Sequence, residues 1–170
     1  SALAFEGRLY LFGGWDGQGY RSDVLMYDPT LDTWQERSPM PTARAFSSAA
    51  EAGGVIYVIG GYNGSQPLDT NEVYSPTRDN KDNAPWEATQ ALPQGRYDMG
   101  ITSVADLIYL IGGTGEEGET LQPLEYSPTT QTWQSFNMPL PDRWVGMGLI
   151  SSGPNLYMVG GQVQGLYTGL

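Results

Sequence analysis

The sequence predicts an all-β chain, and three observations carry that prediction. Twenty-three glycines and twelve prolines among 170 residues suit tight turns, and twenty aromatic residues suit the short strands between them. No stretch places Ala, Glu, Lys and Leu at helical spacing. Four apolar runs, Leu9-Tyr-Leu-Phe, Val55-Ile-Tyr-Val-Ile, Leu107-Ile-Tyr-Leu-Ile and Leu156-Tyr-Met-Val, each end in a diglycine.

Those diglycines, Gly13-Gly14, Gly60-Gly61, Gly112-Gly113 and Gly160-Gly161, open a repeat. Thirteen residues past the second glycine stand Tyr27, Tyr74 and Tyr126, each followed two positions later by Pro29, Pro76 and Pro128. A tryptophan follows the tyrosine after seven residues in the first and third copies, Trp34 and Trp133, and after twelve in the second, Trp86. Ten residues beyond each tryptophan stands an arginine: Arg44, Arg96 and Arg143. The diglycines are spaced 47, 52 and 48 residues apart. The five-residue excess falls in Asp79-Asn-Lys-Asp-Asn-Ala-Pro85, and the single extra residue is expected near Ser151–Asn155, both polar, turn-rich segments of the kind that loops tolerate.

One repeat translates into four strands. The first follows the arginine, as in Ala45–Ala50 or Tyr97–Val104, and is rich in small residues, as a crowded inner position requires. The second is the apolar run, whose lack of alternation predicts burial on both faces. The third ends at the tyrosine, as in Asp23–Tyr27. The fourth starts at the tryptophan and stops before a proline corner: Met40-Pro41, Leu92-Pro93, Leu140-Pro141. Four antiparallel strands per repeat of roughly 50 residues make one blade of a β-propeller.

This pattern resembles the kelch repeat family in its apolar-Gly-Gly, Tyr-x-Pro, spaced Trp, proline corner and the Arg that opens the next copy, and the resemblance runs along essentially the whole chain. It implies an incomplete propeller of about three and a half blades: blade one 1–43 with a truncated first strand, blade two 44–95, blade three 96–142 and a half blade 143–170. Kelch rings commonly close with six blades, so the ring is expected to be completed by the rest of a longer chain or by another chain. The repeated Tyr and Trp residues are expected to fill the space between blades.

Composition excludes several chemistries. Without cysteine or histidine there is no disulfide, thiolate site or Ser-His-Asp triad. A net charge of −11 disfavours nucleic acid and anionic lipid as partners. No run is long enough for a membrane span. No cofactor and no metal is implied. Gly113-Thr-Gly-Glu-Glu-Gly118 matches a dinucleotide fingerprint but lacks a helix, Asn63-Gly-Ser65 and Asp16-Gly17 read as equivalent turns, and Asp79–Asn83 with Lys81 lacks the closing glutamate of a calcium loop. The absence of cysteine and the single lysine fit an extracellular or cell-surface chain better than a cytoplasmic one.

The candidate binding residues are Arg44, Arg96 and Arg143, expected to converge at one mouth of the axis, together with Trp15 and Tyr62 just after two of the diglycines. The resemblance implies that arginines at this position contact acidic peptides and that the residue after diglycine adds an aromatic face. Thr114 and Gln162 stand at that aromatic position in the later copies. A structural alternative holds each arginine against carbonyls of a neighbouring blade, with Asp98 and Asp142 neutralising Arg96 and Arg143, and Glu116, Glu117 and Glu119 weigh against a strongly acidic partner. The functional expectation is a non-catalytic module for a protein or peptide, carboxylate-bearing in the arginine reading. The alternatives are a carbohydrate-active propeller resembling a sialic acid mutarotase, with Glu51, Asp98 or Asp142 as the available carboxylates, and an extracellular structural spacer.

Overall fold

A computed structural model describes residues 1–79, 84–117, 121–139 and 143–168. Lys81 with the rest of 80–83, Glu119, the Leu140-Pro141 corner and Asp142 lie outside these described residues. The chain folds into successive antiparallel sheets. The first is β1 (Ala2–Phe5), β2 (Arg8–Trp15), β3 (Tyr20–Asp28) and β4 (Thr33–Arg37), hydrogen-bonded in that order. The second is β5 (Ser48–Ala52), β6 (Val55–Ile59), β7 (Asn71–Tyr74) and β8 (Trp86–Ala88). The third is β9 (Gly100–Val104), β10 (Leu107–Ile111), β11 (Leu124–Ser127) and β12 (Thr132–Ser135). The only helical turn among the described residues is a 3₁₀ turn at Pro76–Arg78, where proline supplies the starting φ.

The remainder is β13 (Trp144–Val145), β14 (Gly148–Ser152), β15 (Asn155–Val159), β16 (Gln162–Val163) and β17 (Leu166–Tyr167). β14 and β15 form the inner hairpin that a half blade supplies. The small β13-β16-β17 sheet is an elaboration of bridges present in the earlier copies: Gln162 pairs with Val145 and Tyr167 as Tyr62 pairs with Ala45 and Pro67.

Two expectations need correction. The inner strands do not run on from the arginine; β5 and β9 begin at Ser48 and Gly100, because Phe46 and Asp98 adopt left-handed φ values of 56° and 60° that break the extended backbone. The single extra residue is not near Ser151–Asn155. The β14–β15 turn spans only Gly153-Pro154, two residues like Gly53-Gly54 and Ala105-Asp106, so the offset lies upstream of Gly146.

Apolar layers join the sheets. Tyr10, Phe12, Val24 and Met26 of the first sheet are buried against Ile56, Val58 and Tyr74 of the second, with Trp86 packed on them. Tyr57 and Ile59 meet Ile108, Leu110 and Tyr126 of the third, with Trp133 alongside. The tyrosine–tryptophan pairs of the second and third sheets therefore cover the preceding blade, and their indoles fasten there: Trp86 Nε1 donates to the Ser38 carbonyl at 2.9 Å and Trp133 Nε1 to that of Gln90 at 3.0 Å. The inner strands β1, β5, β9 and β14 flank a groove of about 520 Å³ along the axis, lined by small residues such as Ser48, Ala49 and Gly100.

Candidate functional site

The arginine position is a structural corner. Arg44 is fully buried. Its guanidinium ion-pairs with Glu72 and hydrogen-bonds Thr70, both on the second sheet's side, and Nη1 reaches the Gly60 carbonyl at 3.2 Å. Glu72 also accepts a 2.7 Å hydrogen bond from Thr42 Oγ1, so the pair ties the entry of the second repeat to β7. Burial draws the Arg44 pKa below its ordinary value, and the Glu72 carboxylate opposes that shift. Arg96 is likewise buried and donates to the Gln122 carbonyl at 3.0 Å. In that copy Leu124 stands opposite Leu110 as Glu72 stands opposite Val58, so blade three puts an apolar side chain where blade two puts the carboxylate.

Arg143 is not the third member of this column. The carbonyls of Arg44 and Arg96 accept from Gly14 and Gly61, and the matching bond from Gly113 goes to the carbonyl of Trp144 at 2.8 Å. Trp144 Nε1 donates to the Gly160 carbonyl at 2.8 Å, as Arg44 Nη1 does to Gly60. An indole has replaced the guanidinium, and Arg143, exposed, lies one residue outside the column. The corner also explains the first glycine of three of the pairs: a Cβ on Gly13 or Gly60 would stand 2.4 Å from the carbonyl oxygen of Arg44 or Arg96, and one on Gly112 2.2 Å from that of Trp144. Three guanidiniums therefore do not converge at the mouth. Two turn into the sheets, because a buried position beside free strand-end carbonyls rewards a long donor.

The aromatic expectation fares differently. Trp15, at the end of β2, is 60% exposed, and Tyr62 is half-buried in a ring cluster. Its ring centroid lies 5.8 Å from Tyr20 and 5.2 Å from Tyr97, and Tyr97 lies 6.2 Å from Phe46. Phe46 is 52% exposed. Phe46, Asp98 and Gly146 are themselves repeat-equivalent: Asp98 N–H donates to the Phe46 carbonyl and Gly146 N–H to the Asp98 carbonyl, each at 2.9 Å, and all three have φ between 56° and 64°. These residues ring the end of the axial groove, each directly before or one residue before the groove-lining Ser47, Met99 and Met147. Phe46, Tyr97 and Tyr20 were missed in the sequence; writing the copies in register on Gly100 and Gly148 would have shown Gly146 in the column of Phe46 and Asp98, the mark of a left-handed position.

Asp98 does not neutralise Arg96. Among the described residues its carboxylate makes no ion pair, and burial alone pushes its pKa up. Asp142, the expected partner of Arg143, lies outside the described residues. The post-diglycine loops hold their shape through Asx turns: Asp16 Oδ1 accepts from Gln18 and Gly19, and Asn63 Oδ1 from Ser65 and Gln66, the equivalent turns expected of the two segments. Among the described residues no group of three or more acidic side chains is placed to hold a metal ion.

Comparison with known proteins agrees with this architecture. The model of the KLHDC2/KLHL20/DRC7 Kelch-repeats domain matches residues 1–168. Kelch-like protein 35 of Mus musculus is 28% identical over 163 residues, covering 94% of this chain and 26% of that protein. Kelch-like protein 23 of Homo sapiens is 30% identical over 165 residues, 85% of this chain and 26% of that protein, and Kelch-like protein 40 of Mus musculus is 32% identical over 146 residues, 79% and 22%. The chain thus spans about a quarter of the length of these relatives. With diglycine strands, interblade tyrosine–tryptophan pairs and four-stranded sheets all in place, the chain belongs to the kelch repeat family.

Proposed function

We propose that this chain is part of a protein-binding propeller that presents its loop mouth to a protein or peptide and carries out no chemistry of its own. The observation that supports this reading best is the aromatic mouth, in which Trp15, paired with Tyr20 at the end of β2, and Phe46, next to the backbone bridge Ala45–Tyr62, stand largely exposed. Exposed large aromatics on rigid loops provide contact area at small entropic cost, which is why binding hot spots favour them. Arg44 and Arg96 support the scaffold of this face, and Trp15 and Tyr62 belong to its surface. Arg44 and Arg96, two of the three arginines that a guanidinium clamp for a sugar acid would use, are buried, which weighs against the carbohydrate reading.

The ring is completed by further blades, from the remainder of a longer chain or from another chain. Trp34 at one end, 50% exposed, and Tyr157 and Val159 at the other are the surfaces that neighbouring blades cover elsewhere in the molecule. The test is capture of a partner in a pull-down by the wild-type chain and by a Trp15→Ala/Phe46→Gly variant. Loss of capture with an unchanged circular dichroism spectrum is the expected result. Undiminished capture moves the binding surface to the blade edges or the outer loops.

A further inference from the structure

The chemistry of the mouth narrows the class of partner, an inference that rests on the mouth being the binding face. At the axial position the backbone takes a left-handed φ in every described copy, a conformation that Gly146 adopts without cost and that a phenylalanine or aspartate adopts with strain. Two of the three copies nevertheless carry a side chain there, and the pair is specific: an exposed aromatic ring, Phe46, beside a carboxylate, Asp98, whose backbone N–H bonds the Phe46 carbonyl at 2.9 Å. Tyr97, the residue preceding Asp98, lies between Phe46 and Tyr62 in the ring cluster.

The Asp98 carboxylate is half-buried and has no ion pair among the described residues. Arg44 is sealed against Glu72, Arg96 is buried with a bond to the Gln122 carbonyl, and Arg21, at the start of β3, is held by Asp16 at 3.5 Å and Asp23 at 2.7 Å. The loop near the mouth adds exposed Glu116 and Glu117, and the whole chain carries −11. A half-buried carboxylate whose chain neighbour Tyr97 and backbone partner Phe46 are aromatic, in a negative field, is complementary to a cation.

We propose that the mouth receives a basic side chain of a protein partner, a guanidinium or ammonium group, with Asp98 as its counter-ion and Phe46 and Tyr97 as the aromatic walls. This reverses the acidic partner that the arginine column suggested: a carboxylate entering here meets Asp98, while the guanidiniums of Arg44 and Arg96 are enclosed. Arginine suits the site better than lysine, because its planar head stacks on a ring while its edge bonds a carboxylate.

The test is an amide-resolved NMR titration of the intact 170-residue chain with N-acetyl-arginine amide and, separately, N-acetyl-glutamate amide. The expected result is saturable shifts at Phe46, Tyr62, Tyr97 and Asp98 with the arginine probe alone. Asp98→Asn, which suits the left-handed backbone and keeps the shape, should weaken that binding by about fivefold or more. Glu36→Gln, which removes an exposed carboxylate on β4, should leave it unchanged. Shifts at the same residues with the glutamate probe overturn the basic-partner proposal and leave the mouth as a binding face. Arginine-induced shifts scattered over the acidic surface, or insensitive to Asp98→Asn, also overturn it. No shift at the mouth with either probe removes both the proposal and the reading on which it rests.

Discussion

At the junction between the first and second sheets Tyr10 and Phe12 are buried, edge-on to Tyr74, with Trp86 set against Phe12. Their counterparts in the last repeat, Tyr157 and Val159, stand at the same distances before their diglycine and are 47% and 48% exposed. β6 and β15 hold equivalent places in their repeats, with tyrosine at the same position, yet β6 is buried almost throughout and β15 alternates between exposed and half-buried residues along its length. β15 is covered on one side, where Leu156 and Met158 pack with Met147 and Leu149, and bare on the other. The same holds at the opposite end, where Trp34 has the position of Trp86 and is 50% exposed. A kelch strand thus does not own its burial; the next wedge supplies it, as in any architecture built from stacked repeats.

The largest test of that comparison sets one buried ring against one bare ring. Tyr74→Ala opens a cavity between two sheets and should cost about 3–5 kcal/mol in urea unfolding, whereas Tyr157→Ala should change stability by no more than about 0.5 kcal/mol. Equal costs at the two positions would mean that the free face is covered in solution. Close behind comes the buried ion pair. Glu72→Ala leaves Arg44 enclosed without its carboxylate and should cost about 3 kcal/mol or more by the same measurement. Glu72→Leu, which copies the Leu124 of blade three, should recover part of that loss if the arrangement around Arg96 transfers between blades. The smallest effect concerns the indole hydrogen bonds. Trp86→Phe removes the bond to the Ser38 carbonyl and should cost about 1 kcal/mol beyond the same change at Trp34, read as the difference between the two unfolding midpoints.

The repeat was legible because its markers are obligatory for local reasons. Diglycine is needed where a Cβ would strike the carbonyl of the next repeat, and the tyrosine–tryptophan pair is needed wherever one blade covers another. Trp15 and Tyr62 were legible as equivalent positions because they follow that diglycine directly. The arginine column was legible only in part. Arg143 holds the expected spacing from Trp133 but not from Gly160, and only the hydrogen bond from Gly113 to Trp144 shows which spacing the backbone obeys. Arg44 and Arg96 were placed on the correct corner, but whether a long cation turns outward to a ligand or inward to a carbonyl depends on what the neighbouring strand leaves unpaired. For Arg44 the answer was written 28 residues away, at Glu72.

Periodicity and residue type alone determined the strand count per repeat, the turns and the existence of interblade layers, because each follows from short-range sterics and from patterns repeated along one chain. Tertiary structure decided which charges face solvent. Desolvation, partner geometry and left-handed backbone at the axis are set by residues brought together across blades, and they enclose the guanidiniums of Arg44 and Arg96 while leaving Phe46 exposed.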